Sequence, residues 1–209
     1  MSVAHSRELT KLSEHLRARA AIVESLFESI LRALPERDGP GAMAAAERAR
    51  ADWRGGASVE REGVALMAER KPAAESLRLV VASIKMAISF RRIHHVIATI
   101  APRIEALSRH AEVSIPHGVG RTGADALRVL KRALETWRLS DESEGRPVVV
   151  TSTCGGKIAE RSAREIVQRI ASDRANAEAY EHCLGVLRAF EIAAEYVNGV
   201  ADDVAALCQ

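Results

Sequence analysis

Four side chains near the C-terminus have the types and spacing to hold a cation. Glu191, Glu195, Asn198 and Asp202 stand at i, i+4, i+7 and i+11, one stripe on one face of a helix. Two carboxylates one turn apart offer oxygen ligands to a hard or borderline divalent cation. Inward-facing carboxylates of this kind build metal sites in helical bundles. The competing reading is a solvated face of an amphipathic helix, with Leu187, Phe190, Ala193, Ala194, Val197 and Val200 on the other side.

Other stretches approach known chemistry and miss it. Val148 to Lys157 looks like a strand entering a phosphate loop, but the loop needs a glycine where Thr151 stands and a hydroxyl where Ile158 stands. A β-branched start to a helix accounts for it, though Val-Val-Val-Thr by itself prefers strand. Gly118-Val-Gly-Arg-Thr-Gly123 looks like the tail of a tyrosine phosphatase loop, yet Ile115, Pro116 and His117 precede it and supply no thiolate. Cys154 has no base or cation beside it in sequence, so it reads as a small apolar residue. His94 and His95 are adjacent, and neighbours on a helix point about 100° apart, so they do not share a metal. Surface or interface positions are expected for both.

The elements that must carry these residues are helices. Leu77, Val80, Val81, Ile84, Ile88, Phe90, Ile93, Ile97, Ile100 and Ile104 recur at three- and four-residue steps, on enough of the circumference to predict a helix buried on most sides. The same pattern returns 100 residues later, where Phe190, Val197, Val200, Val204 and Leu207 take the places of Phe90, Ile97, Ile100, Ile104 and Leu107. Gly155-Gly156 and Glu160-Arg161 likewise repeat Gly55-Gly56 and Glu60-Arg61. A chain that repeats its core helix predicts two copies of one bundle. The fold expected is all-α, two tandem three-helix bundles: residues 1–108, a Gly- and Pro-containing linker 109–123, and residues 124–209. Helices are expected over 3–34, 42–70 with a weak point at Gly55-Gly56, 72–101 ending or bending at Pro102, 124–139, 147–172 and 173–207. Thr122 or Asp125 is the expected cap of the fourth.

Composition agrees. Of 209 residues, 47% are hydrophobic and only 3% aromatic, a core of Ala, Leu, Ile and Val suited to helix packing. The net charge of +2 is spread among interspersed Arg and Glu, which argues against a nucleic-acid surface. Three scattered cysteines form no disulfide framework, and no signal peptide or membrane span is evident, so a cytoplasmic location is expected.

Two segments resemble the PhoU family of phosphate-uptake regulators. Glu69-Arg-Lys-Pro-Ala-Ala-Glu-Ser-Leu-Arg-Leu-Val-Val-Ala-Ser-Ile-Lys85 is similar to that family's third-helix start, and Ser172-Asp-Arg-Ala-Asn176 followed by Leu187 to Glu195 is similar to its last helix. The resemblance covers nearly the whole chain and implies two three-helix repeats. It also implies a metal motif on the third helix of each repeat, an acidic residue followed four positions on by another. In the second repeat those positions are Glu191 and Glu195, with Asp202 beyond them, which would hold iron, zinc or another divalent metal. In the first they are Arg91 and His95, where both carboxylates are lost and a guanidinium cannot ligate. The acidic cluster of the second helix is reduced to Asp52 in one copy and absent from the other. The chain therefore reads as a divergent member.

What the resemblance implies about function is regulation rather than catalysis. Such a protein would contact the ATPase subunit of a phosphate ABC transporter and a sensor histidine kinase, dampen phosphate uptake and signalling, and meet the membrane only through those partners. Apart from the resemblance, apolar residues on otherwise exposed helices suggest a homodimer, and the charge pattern predicts no nucleic-acid partner. The alternatives are a carboxylate-bridged metal-binding bundle, weakened because no Glu is followed by His three residues on, and a signalling adaptor that has lost the phosphate role.

Overall fold

The computed structural model describes residues 3–70, 74–142 and 156–207. These form six long helices: α1 Val3–Glu36, α2 Gly39–Arg70, α3 Ala74–Leu107, α4 His117–Glu142, α5 Lys157–Ser172 and α6 Ala177–Leu207. A single 3₁₀ turn, Arg174–Asn176, leads into α6. The undecided stretch Val148 to Lys157, with Cys154 in it, lies outside the described residues except for its last two positions, and so does Pro72.

α1, α2 and α3 pack as one bundle and α4, α5 and α6 as another, and the two join where α3 lies on α6 and α1 on α4. One apolar cluster runs through both. Leu12, Leu16, Val23, Phe27 and Ile30 from α1 meet Ile93, Ile97 and Ile104 from α3 and Val197, Val200 and Val204 from α6, all buried. Phe27 stacks on Phe190 across the bundle boundary, centroids 6.0 Å apart and rings 16° from parallel. The expectation that α3 is buried on most sides fails at its start: Leu77 and Val81 are 40% and 41% exposed. Its inner side is covered there all the same, with Val80 and Ile84 against Gly63 of α2 and Lys85 paired with Asp203 of α6.

α3 and α6 run antiparallel. Lys85 pairs with Asp203, the Arg92 guanidinium lies 5.4 Å from the Tyr196 ring centre, and Arg103 lies over Gly185. Numbers rise along one helix as they fall along the other. Positions 85 and 185, and 103 and 203, are also counterparts in the repeat.

Several breaks read from proline and glycine are absent. α2 continues through Gly55-Gly56 and α3 through Pro102. A proline forfeits one backbone hydrogen bond, and buried Ile100, Ala101 and Ile104 hold the helix together on the core side. The linker is shorter than expected, because α4 begins at His117 and includes Gly118, Gly120 and Gly123. Two of these glycines serve close approach. A Cβ on Gly123 would stand 2.7 Å from both Leu31 and Phe190, and one on Gly118 would overlap the Ser162 hydroxyl. Thr122 is inside the helix, not a cap, and its hydroxyl donates to the Gly118 carbonyl at 2.9 Å.

The turn between α1 and α2 is only two residues long, and it is built on Arg37. The Asp38 N–H donates to Ala33 O at 3.0 Å and the Arg37 N–H to Leu34 O at 3.3 Å, the two bonds of a Schellman helix end. Its left-handed position, usually glycine, is Arg37 with φ 53°. The Arg37 guanidinium donates to the carbonyls of Leu107 and His110, each at 2.8 Å, and to that of Val113. It thereby satisfies the end of α3 and the chain leading to α4. Asp38 Oδ1 then accepts the Gly41 N–H at 2.8 Å and caps α2.

Candidate functional site

The acidic stripe lies on α6 and faces outward. Glu191 is half-buried, and Arg188 one turn before it donates to its Oε2 at 2.8 Å. Asn198 is half-buried, and Glu195 and Asp202 are exposed. At 1.5 Å per residue, Glu191 and Asp202 are about 16 Å apart along the helix, too far for one ion, whereas Glu191 and Glu195 are about 6 Å apart. Among the described residues no three His, Cys, Asp or Glu side chains gather closely enough to hold a metal. The donor set therefore fails to match a closed cluster. What it fits is a solvent-open pair, Glu191 and Glu195, in competition with Arg188. That surface ion pair opens at little cost.

The corresponding face of α3 is taken up by internal pairs. Arg91 donates to Glu60 of α2 and its guanidinium lies 5.0 Å from the centre of the Trp53 ring. His95, exposed as expected, meets the same ring edge-on with centroids 6.0 Å apart. Where a carboxylate motif is implied by the resemblance, a cation and an indole tie α3 to α2.

His94 departs from the sequence reading: it is not a surface residue but 2% exposed. The 100° step that takes His95 outward turns His94 toward α1 and α2. There Arg19 donates to Asp52 Oδ1, and His94 Nε2 lies 3.7 Å from Asp52 Oδ2. Neither ring nitrogen of His94, nor Asp52 Oδ2, has a hydrogen-bond partner. Burial pushes the His94 pKa down; the Asp52 charge pulls it up and Arg19 reinforces the fall. The ring is thus neutral at pH 7, and its contact with Asp52 is not an ion pair. His15 Nδ1, 2.9 Å from Glu62 Oε2, forms a second tie between α1 and α2.

Asp203 was overshadowed in the sequence by its neighbour Asp202. Asp203 is 4% exposed and pairs with Lys85 of α3. The signal was available: Asp203 falls three residues after Val200 and beside Val204, so it stands on the apolar face, where a charge needs a partner. Cys183, buried in the core, has its thiol pushed up to about 11 by burial and is inert as a nucleophile.

Two solved structures share this architecture. PhoU from Pseudomonas aeruginosa matches with a TM-score of 0.73 at 22% sequence identity, covering 97% of this chain and 97% of that one. The phosphate transport system regulatory protein PhoU from Streptococcus pneumoniae matches with a TM-score of 0.72 at 17% identity, covering 97% of this chain and 96% of that one. No protein-family model matches the chain, and no curated protein matches it by sequence. The chain has the PhoU fold from end to end.

Proposed function

We propose that this protein is a PhoU-like regulator of phosphate uptake and phosphate signalling that acts by binding other proteins. The observation that carries the reading is the full-length agreement with two PhoU structures, both bundles included. Its partners on this reading are the ATPase subunit of a phosphate ABC transporter and a sensor histidine kinase, reached from the cytoplasm without catalysis. No helix among the described residues is long and apolar enough to cross a membrane. A homodimer is part of the same proposal, supported by exposed Leu77, Val81 and Ile192 on outer helix faces. The test is to mix the purified chain with the transporter ATPase subunit of the same cell, measure complex formation by light scattering, and measure phosphate uptake after deleting the gene. A complex and raised uptake are expected. No complex together with unchanged uptake would sink the reading.

A metal at Glu191 and Glu195 is a separate proposal, supported by their spacing on one face of α6. Elemental analysis of protein purified without chelator should find iron, zinc or another divalent metal, lost when both residues become Ala. Equal metal content in wild type and variant would remove the site.

A further inference from the structure

The first turns of α4 and α5 come together around a cavity of about 580 Å³ lined by His117, Arg121, Lys157 and Arg161. Arg121 comes from α4, one turn after His117, and Lys157 and Arg161 come from α5 at i and i+4, on one face. That arrangement is unfavourable twice over. Like charges one turn apart repel, and cations sit badly at the positive end of a helix dipole. Glu160 is the acidic residue of the first turn of α5, and among the described residues it forms no ion pair with them. Among the described residues Arg121, Lys157 and Arg161 have no ion-pair partner, and Glu165, which also lines the cavity, is held by Arg169 at 2.9 Å. The cap position of α5 is Gly156, with φ 104° and no side chain to offer its first N–H groups.

The sequence holds the two ends together. Gly118 has no side chain where one would overlap Ser162 of α5, so α4 can approach α5 at the cavity wall. The three cations Arg121, Lys157 and Arg161 brought together in this way are stabilised by a multiply charged anion. A second cavity, about 590 Å³, continues from the first and shares His117 and Arg121. Its other walls are apolar, among them Leu31, Leu34, Ile115 and Ala124. A free inorganic anion would leave those walls unused.

We infer that this pair of cavities binds a soluble phosphate ester of the nucleoside diphosphate kind, its phosphates between α4 and α5 and its uncharged body along the apolar walls. The site is separate from the α6 stripe and does not depend on the identity of the protein partner.

The test is calorimetric titration with ADP, with pyrophosphate, and with vesicles of phosphatidylglycerol, at about 0.15 M salt so that screening removes diffuse attraction. ADP should bind more tightly than pyrophosphate. Arg121→Gln and Arg161→Gln should each weaken ADP by at least about tenfold, the effect of one charge-assisted hydrogen bond. Ala124→Glu should weaken ADP more than pyrophosphate. The two Arg variants should also raise the melting temperature of the ligand-free protein, because they relieve repulsion; a merely structural role for the arginines would lower it. ADP binding no tighter than pyrophosphate, binding unchanged in both Arg variants, or binding to vesicles alone would overturn the inference.

Discussion

Arg37 is asked to do two opposed things, and the balance can be measured. Its backbone occupies the left-handed region at φ 53°, which a non-glycine residue enters at a cost of about 1 kcal/mol or more. Its side chain meanwhile donates to the carbonyls of Leu107, His110 and Val113. Charge-assisted bonds contribute up to about 3 kcal/mol each, but the group is half-buried, so about 1.5 kcal/mol each is a fairer figure. Subtracting about 2 kcal/mol for ordering a long side chain leaves a net of about 2.5 kcal/mol. Arg37→Ala loses that and keeps the backbone cost, so it should destabilise by about 2.5 kcal/mol. Arg37→Gly loses the same bonds but relieves the backbone, and should destabilise by about 1.5 kcal/mol. The assay is urea unfolding followed by circular dichroism, with the slope checked for constancy between variants. An alanine variant as stable as wild type, or a glycine variant less stable than alanine, would refute the reasoning. A supporting readout is faster proteolysis within residues 108–116 in both variants, since those carbonyls lose their anchor.

Three further outcomes follow from the same structure. His94 is neutral when folded and ordinary when unfolded, so the unfolded state binds more protons just below pH 6.5 and stability is lost as the pH falls through that value toward the lower folded pKa; His94→Leu should flatten the fall in melting temperature between about pH 7 and pH 5, and an unchanged profile would show that the ring does not carry it. Lys85→Met should cost about 3 kcal/mol by leaving Asp203 buried without its partner, whereas Asp203→Asn frees a mostly exposed lysine and should cost about 1 kcal/mol; denaturant titration giving the reverse order would refute this. Within α4, Gly120→Ala should stabilise by about 1 kcal/mol because only Leu34 at 3.9 Å meets the new methyl, while Gly123→Ala should destabilise by crowding Leu31 and Phe190 at 2.7 Å, both read from thermal melts.

The periodic features were legible in the sequence. Three- and four-residue steps in Leu, Ile and Val located the six helices, and the 100-residue repeat paired Phe90 with Phe190 and grouped the helices by threes. Glycine and proline misled at α2, α3 and α4, because a residue that weakens a helix in isolation is tolerated or required where helices pack closely, as at Gly118 and Gly123. Charge misled in another way. His94 and Asp203 carry polar groups on inward faces, and residue type alone argues for exposure. The spacing that joined Glu191, Glu195 and Asp202 placed them on one stripe, and the competing reading of a solvated face agrees with their exposure, while the Arg188 pair needed the structure. The cationic cavity joins residues 40 positions apart, and no local pattern links His117 with Lys157.

The antiparallel seating of α3 on α6 makes the molecule an isologous dimer joined into one polypeptide. In a true dimer, position 85 would face position 103 of the other copy twice over, with identical residues at both places. Fusion lifts that requirement. One of the two contacts is now Lys85 with Asp203 and the other is Gly185 beneath Arg103. The same freedom lets position 91 be an arginine bound to Glu60 while its counterpart, Glu191, stays a carboxylate facing solvent on α6. A substitution that would strike a symmetric assembly at both places strikes this one once, so one half can change its contacts while the other keeps its own.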